Sequence, residues 1–272
     1  MTESVSPELG AKYERLVGWF DAFDRVAIAF SGGVDSTIVL AAARENCSRR
    51  GLSQENIVPL MCVSPSQSHR EVEAAIAVAE NLGFQVCRLN THELDQPGYA
   101  DNPPDRCYHC KKVLLEQMLE LVRELDCEVL VTGDNASDLL DERPGRRVLQ
   151  EAGGRSPLAE LGIAKPEVRA IARTIQKLPV WNKPARACLA TRVPAGTPIT
   201  AALLAQVEKA EDALADLGFT EHRVRHAGSL ARLEVSAAEM PLVMQKREAI
   251  LAALKQAGYE RVALDLEPLK RR

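Results

Sequence analysis

At 272 residues, with 46% hydrophobic, 26% charged and 4% aromatic residues, the chain has the composition of a globular protein of one or two domains. That balance excludes a disordered, collagenous or coiled-coil protein. Lys and Arg number 34 against 38 Asp and Glu, a net charge of −4, so the overall basic footprint of a protein that lives on nucleic-acid phosphates is missing.

The N-terminal MTESVSPELGAKYERL lacks the basic-then-apolar pattern of an export signal, and nowhere do 18 apolar residues run together. These features predict a soluble, cytoplasmic protein with no membrane partner. Strand-like apolar runs at 25–30 (RVAIAF), 57–63, 85–89 and 128–132 then alternate with helix-period segments at 37–49, 68–82 and 110–125. In the last of these, Val113, Leu114, Met118, Leu121 and Leu125 recur at three- and four-residue steps. A further helix is expected at 166–176, after a loop at 153–162. The alternation predicts an α/β fold, a doubly wound parallel sheet covered by helices, over residues 1–180. Pro179, Pro184, Pro194 and Pro198 punctuate a stretch without periodicity, read as a long connection over 181–200, and loops of that length are usually functional or disordered. A helix (201–217), strands (221–225 and 230–235), a helix (242–257) and a strand (261–266) complete a small C-terminal α+β (αββαβ) domain over 201–272, assigned to substrate binding or oligomerisation.

The first strand runs directly into Ser31-Gly32-Gly33-Val34-Asp35-Ser36-Thr37 and then into a helix. Two glycines let the backbone approach an anion closely, and the free N–H groups of the helix N-terminus complete an anion site flanked by the Ser31 and Ser36 hydroxyls. The same residues also read as a glycine turn with Asp35 or Ser36 capping a helix. No lysine stands where the Walker A pattern needs one, which disfavours kinase-like handling of a γ-phosphate.

Complete and set between strand and helix, SGGVDS resembles the PP-loop of the ATP pyrophosphatases. Thr132-Gly133-Asp134-Asn135, Ser156-Pro157-Leu158 and Lys165-Pro166-Glu167-Val168-Arg169 extend the resemblance. Residues 102–111 (NPPDRCYHCK), 141–145 (DERPG) and 181–194 (WNKPARACLATRVP) narrow it to the LarE family of ATP-dependent sulfur transferases, over nearly the whole chain. The resemblance implies ATP and Mg²⁺ as cofactors, with ATP on Phe30, Ser31, Gly32, Gly33, Asp35, Ser36, Thr132, Gly133 and Lys165, and with Asp35 and Ser36 in the catalytic machinery. It implies adenylation of a carboxylate of pyridinium biscarboxylate mononucleotide, release of pyrophosphate, and attack by a protein-bound sulfur, in biosynthesis of the nickel-pincer nucleotide. Adenylation is required because a bare carboxylate has no usable leaving group. A small-molecule nucleotide substrate and a homo-oligomer belong to the same expectation.

Seven cysteines, an odd number without an export signal, argue against a disulfide framework and for metal, catalytic or buried thiols. Cys107-x-x-Cys110 reads as a redox, zinc or cluster pair. The redox reading lacks its thioredoxin-like context, and a structural zinc needs a fourth ligand such as His109. Related tRNA-thiolating enzymes hold a [4Fe–4S] cluster on a CxxC and one distant cysteine, an arrangement that Cys107, Cys110 and Cys188 match. The other mode of the LarE family sacrifices a cysteine of the ACLATR region, leaving dehydroalanine. Cys188 is the candidate donor, although the sacrificial position also aligns with Ala187. Arg106 and Lys111 are expected to lower neighbouring thiol pKa values. Cys47, Cys62, Cys87 and Cys127 read as buried small hydrophobes.

Arg223 and Arg225 alternate on a short strand, so both guanidiniums share one face and suit a phosphate. The resemblance adds Arg192, Thr191, Arg143 and Glu234 as substrate contacts, although the alternation around Glu234 by itself predicts a surface position and Pro144-Gly145 a plain turn. The five histidines show no ligand spacing. Three rival functions share the loop. They are a tRNA thiolase, disfavoured by the acidic charge, an ammonia-dependent amide ligase of the NAD or GMP synthetase type, and a nucleotide-binding regulator without catalysis.

Overall fold

In a computed structural model that describes residues 6–140, 149, 153–184 and 187–269, four short strands form a fully parallel sheet. They are β1 (Val26–Ala29), β2 (Ile57–Val63), β3 (Cys87–Asn90) and β4 (Val129–Val131), in the order β3-β2-β1-β4. Val26 aligns with Ile57 on one side and Val129 on the other. The central strand β1 is therefore an unbroken apolar run, as strands covered on both faces are. Its neighbouring residues divide the core. Ile28 packs with Leu16, Ile38, Leu40, Val168 and Ile171, whereas Ala27 packs with Leu60, Met118, Val122 and Leu130. Successive strand residues face opposite sides, so helices cover both faces and the sheet is doubly wound, as expected.

The strand order sets the place for a ligand. From β1 the chain steps outward through β2 and β3, then returns to the opposite side of β1 as β4. Such a reversal opens a crevice at the carboxyl ends of the two diverging strands. The segments that leave those ends are 30–33 and 132–135.

The helices around this sheet are α1 (Pro7–Trp19), α2 (Val34–Arg50), α3 (His69–Asn81), α4 (Arg106–Glu124) and α5 (Lys165–Thr174). Helix α1 has no counterpart in the expectations above. Its start is signalled by Ser6, whose hydroxyl accepts the Leu9 N–H at 3.2 Å, and by Pro7 at the first helical position. Helix α2 ends on Gly51 in the left-handed conformation (φ 67°), with Arg49 and Arg50 in its last turn.

The chain divides into two units, one of Met1–Val63, His69–Thr91 and Cys110–Lys183, the other of Ser64–Ser68, His92–His109 and Pro184–Arg272. The second contains α6 (Ala201–Asp216), β5 (His222–Ala227), β6 (Leu230–Val235), α7 (Met240–Gln245), α8 (Arg247–Gln256) and β7 (Arg261–Leu264). Its sheet runs β5-β6-β7, antiparallel then parallel, over a core that includes Leu214, Phe219, Val224, Leu233, Leu254 and Tyr259. The single helix expected at 242–257 is two, because Lys246 leaves helical geometry (φ −102°, ψ 15°). Its amine instead donates to the Leu217 carbonyl at the end of α6, at 2.5 Å. The proline-punctuated stretch holds two short 3₁₀ turns, Pro179–Asn182 and Leu189–Arg192. No helix among the described residues is long and apolar enough to cross a membrane. Arg143 and the DERPG segment lie outside the described residues.

Candidate active site

In the first unit, three segments converge on the start of α2. Gly32 sits at φ 66°, and a β-carbon there would fall 2.3 Å from Cβ of Ala75 in α3, so both backbone sign and space demand glycine. Gly33 caps α2, and its carbonyl accepts the Thr37 N–H at 3.0 Å, the Thr37 hydroxyl at 2.7 Å and the Ser36 hydroxyl at 3.2 Å. Ser31 N–H donates to Ser36 Oγ at 3.2 Å and closes the loop. This folding spends the side chains on shaping the loop and points first-turn N–H groups outward, where a helix carries its positive end. Phe30 is a core side chain, 3% exposed, and meets the loop through its backbone, which donates to the Leu60 carbonyl at 2.7 Å.

The segment after β4 lies directly on that helix start. A β-carbon on Gly133 would stand 2.8 Å from the Ser36 backbone nitrogen. Thr132 Oγ1 donates to Asp134 Oδ2 at 2.8 Å and lies 2.8 Å from Ser156 Oγ, which ties in the third segment. Asp35 is bracketed by two partners, an ion pair with Lys165 and a 3.2 Å bond accepted from Asn135 Nδ2. Lys165 itself is fixed by its N–H, which donates to Ser137 Oγ at 3.1 Å. Asn135, Ser137 and Ser156 thus belong to the site although they are absent from the expected ATP ligands. The sequence signal for Asn135 and Ser156 was membership of the TGDN and SPL motifs, whereas Ser137 lies outside both.

In the second unit, the turn bearing Cys188 is held by arginines. Arg192, 3% exposed, forms a two-pronged pair with Glu211 (2.8 and 3.0 Å), and its remaining nitrogen donates to the carbonyls of Ala187 (2.9 Å) and Cys188 (3.2 Å) and to Thr191 Oγ1 (2.9 Å). Arg225 donates to the Thr191 carbonyl at 2.7 Å and pairs with Glu234 at 2.9 Å. Thr191 Oγ1 in turn donates to the Cys188 carbonyl at 2.8 Å. Arg192, Arg225 and Thr191 therefore already have protein partners, and Glu211, which also accepts the Val224 N–H at 3.0 Å, is a buried carboxylate the sequence reading missed. Glu234 is buried rather than on the surface, because it lies across from Arg223 in the β5–β6 register and accepts from both Arg225 and Arg232. Arg223 shares that face, half-buried, and makes no hydrogen bond or close ion pair among the described residues. Its pKa is lowered by burial and by the like charges of Arg192 and Arg225, so its neighbourhood favours an anion.

Cys188 is half-buried, and burial pushes its thiol pKa up while Arg106 pulls it down; the charge of Cys107 acts with burial. Cys107 is exposed and Cys110 half-buried, one turn apart on α4. A [4Fe–4S] cluster needs three gathered thiolates. Among the described residues no group of three or more His, Cys, Asp or Glu is placed to hold a metal ion. The expected set of Cys107, Cys110 and Cys188 does not fit a cluster as the residues stand. Cys47, Cys62 and Cys127 are buried and Cys87 half-buried.

The NAD synthase family model matches residues 19–99, which include the phosphate loop. An uncharacterized protein of Synechocystis sp. is 39% identical over 261 residues, 95% of each chain. The pyridinium-3,5-bisthiocarboxylic acid mononucleotide synthase of Lactiplantibacillus plantarum is 33% identical over 258 residues, 95% of this chain and 91% of that one. A tRNA-specific 2-thiouridylase of Acidobacterium capsulatum is 29% identical over 200 residues, 58% of this chain and 53% of that protein. Likeness to the synthase thus runs through both units, whereas likeness to the thiouridylase spans little more than half of the chain. A phosphate loop at the switch point of its sheet, with relatedness of this extent, places the chain among the PP-loop ATP pyrophosphatases, and it belongs to their LarE family of ATP-dependent sulfur transferases.

Proposed function

We propose that the enzyme activates a carboxylate of pyridinium-3,5-biscarboxylic acid mononucleotide with ATP and replaces the adenylate with sulfur delivered from Cys188. In the first half-reaction a substrate carboxylate oxygen attacks the α-phosphorus of ATP and pyrophosphate leaves with the electron pair of the broken anhydride bond. The loop at Ser31–Ser36 and the first-turn N–H groups of α2 bind the phosphates, and Lys165 supplies a cation beside them. A Mg²⁺ site needs one or two carboxylates plus substrate phosphates; Asp35 beside the loop is the carboxylate that would hold the ion, which would there neutralise phosphate charge.

In the second half-reaction the Cys188 thiolate attacks the acyl carbon, AMP departs, and a thioester joins substrate to chain. Loss of the Cys188 α-proton with cleavage of its Cβ–Sγ bond then leaves the sulfur on the substrate as a thiocarboxylate and dehydroalanine in the chain. One observation carries this reading. Arg225 bonds the turn that bears Cys188 and lies on the same strand face as Arg223, the arginine with donors to spare. A thiol and a phosphate-binding cation are thereby fixed within one unit, as transfer to a mononucleotide requires. The name of the Lactiplantibacillus relative supports the choice of substrate.

The test is the intact mass of protein purified without oxygen, after reaction with this mononucleotide, ATP and Mg²⁺. The expected result is a chain lighter by one H₂S, the loss mapping to Cys188, and no sulfurated product from a Cys188→Ala variant that still binds ATP. Unchanged mass in active protein, with iron and sulfide that disappear on Cys107→Ser substitution, would move the sulfur source to a cluster.

A further inference from the structure

The turn that carries Cys188 is held through its main chain, and one of the groups that hold it lies far away in sequence. Arg106, 8% exposed, donates through one guanidinium nitrogen to the Ala190 carbonyl at 3.1 Å and to the side-chain oxygen of Asn102. Asn102 is wholly buried in the left-handed conformation (φ 55°) and is used at every polar group. Its side-chain amide donates to the carbonyls of Pro194 (2.7 Å) and Thr197 (3.0 Å), and its own carbonyl accepts the Gly196 N–H at 2.8 Å. On the other flank of the turn, the Leu189 N–H donates to the Ser66 carbonyl at 2.7 Å. Arg106 is also the residue before Cys107. A guanidinium is planar and rigid, so one of its nitrogens directs two N–H bonds more narrowly than a freely rotating ammonium does.

We infer that Arg106, seated by Asn102, is a positioning residue for sulfur transfer, fixing the Cys188 turn by its bond to the Ala190 carbonyl without touching substrate. The inference rests on the reading of Cys188 as the sulfur-bearing residue. Its physical basis is that a reacting atom displaced by about 1 Å loses up to about a hundredfold in rate, and the Ala190 carbonyl lies two residues from the Cys188 thiol. The device acts only on the second half-reaction, because every contact in it belongs to the second unit while the phosphate loop belongs to the first.

The experiment uses the full chain with Arg106→Gln, Arg106→Lys and Asn102→Gly, the last of which accepts the left-handed backbone while deleting the amide. Three quantities are read for each: pyrophosphate release in a single turnover, sulfurated product, and the rate at which iodoacetamide alkylates Cys188, followed by peptide mass. With Arg106→Gln and Asn102→Gly we expect pyrophosphate release within about twofold of the parent, sulfur transfer down by about tenfold or more, and Cys188 alkylated several-fold faster. The last follows because burial is the larger influence on that thiol and the released turn loses it. Arg106→Lys, which keeps N–H donors on one nitrogen without the rigid plane that aims them, should recover part of both. Unchanged alkylation, or pyrophosphate release and sulfur transfer falling together, overturns the inference. Should Arg106→Gln fail to fold, Arg106→Lys and Asn102→Gly carry the same criteria. Alkylation involves no sulfur transfer, so a Cys188→Ala variant that still sulfurates its substrate would sink the donor reading and leave the clamp to be judged on alkylation alone.

Discussion

Lys165 and Asp35 stand 130 positions apart in sequence and form an ion pair at the mouth of the phosphate loop, with Asn135 on the other side of the same carboxylate. Both partners keep some contact with solvent, 33% and 21% of their side chains. A pair of that exposure contributes at most about 1 kcal/mol to stability, so its value lies in poising a cation and a carboxylate where the triphosphate charge arrives. Lys165→Ala should therefore lower the melting temperature by only a few degrees yet raise the Kd for ATP by about tenfold or more. Calorimetric titration with ATP and Mg²⁺ checks this; an unchanged Kd would remove Lys165 from the nucleotide site.

Gly133→Ala tests the seat of the second loop. The added carbon would meet the Ser36 backbone nitrogen at 2.8 Å, and neither the β4 loop nor the helix start can swing aside as a flexible side chain does. Overpacking of this kind costs about 1–3 kcal/mol, and relief by separating the two segments would widen the anion site. The expected outcome is a lower melting temperature together with weakened ATP binding. Gly153→Ala is the control, since a β-carbon there meets nothing within 4 Å although its φ of 75° remains strained; it should cost stability and leave the ATP Kd alone.

How much of this was legible beforehand follows from where the information resides. The phosphate loop was readable because strand, glycines, hydroxyls and helix are contiguous, and local sequence dictates local backbone. Asn135 was hidden by contrast, since its role depends on Asp35 one hundred positions away. The arginines show the same limit. Alternation put Arg223 and Arg225 correctly on one strand face, yet only the fold tells that Arg225 is consumed by Thr191 and Glu234 while Arg223 is not. Glu211 sits in α6 beside Glu208, Lys209 and Asp212, none of them buried, and carries no sequence mark of being the buried partner of Arg192. Helix α1 was missed although Ser6 and Pro7 signalled its start.

That Arg192–Glu211 pair gives the largest stability effect expected in the second unit. Both side chains are nearly sealed from water, 3% and 9% exposed, and Glu211 also holds the Val224 N–H. Removing one partner strands a buried charge, at a cost of about 3–5 kcal/mol. Glu211→Ala should thus unfold the second unit at markedly lower denaturant, and Glu211→Gln, which keeps the acceptor for Val224 but not the charge, should fall between. Urea titration followed by circular dichroism reads this directly. Equal midpoints for parent and Glu211→Ala would mean that the pair breaks even against solvation.

Alkaline pH should destabilise the protein, and the sign follows from which form burial favours. Burial raises the thiol pKa values of Cys47, Cys127 and Cys188, raises that of Tyr13, and raises Tyr259 from 10.0 to about 12. Each group is neutral when protonated, so the folded state holds its proton more tightly than the unfolded state does. The stability they contribute is complete below their ordinary pKa values and is lost as pH rises through the raised ones. Melting temperatures should accordingly be flat toward neutrality, begin to fall above the ordinary thiol range near pH 8.5, and fall further through the tyrosine range up to about 12. Cys188→Ala isolates one contribution, for it should flatten the first part of the decline while leaving the tyrosine part intact. The same raised pKa predicts that iodoacetamide alkylation of native Cys188 keeps accelerating at pH values where an exposed thiol has levelled off. A rate that plateaus near pH 8.5 would show that Arg106 and Arg192 outweigh burial at this thiol.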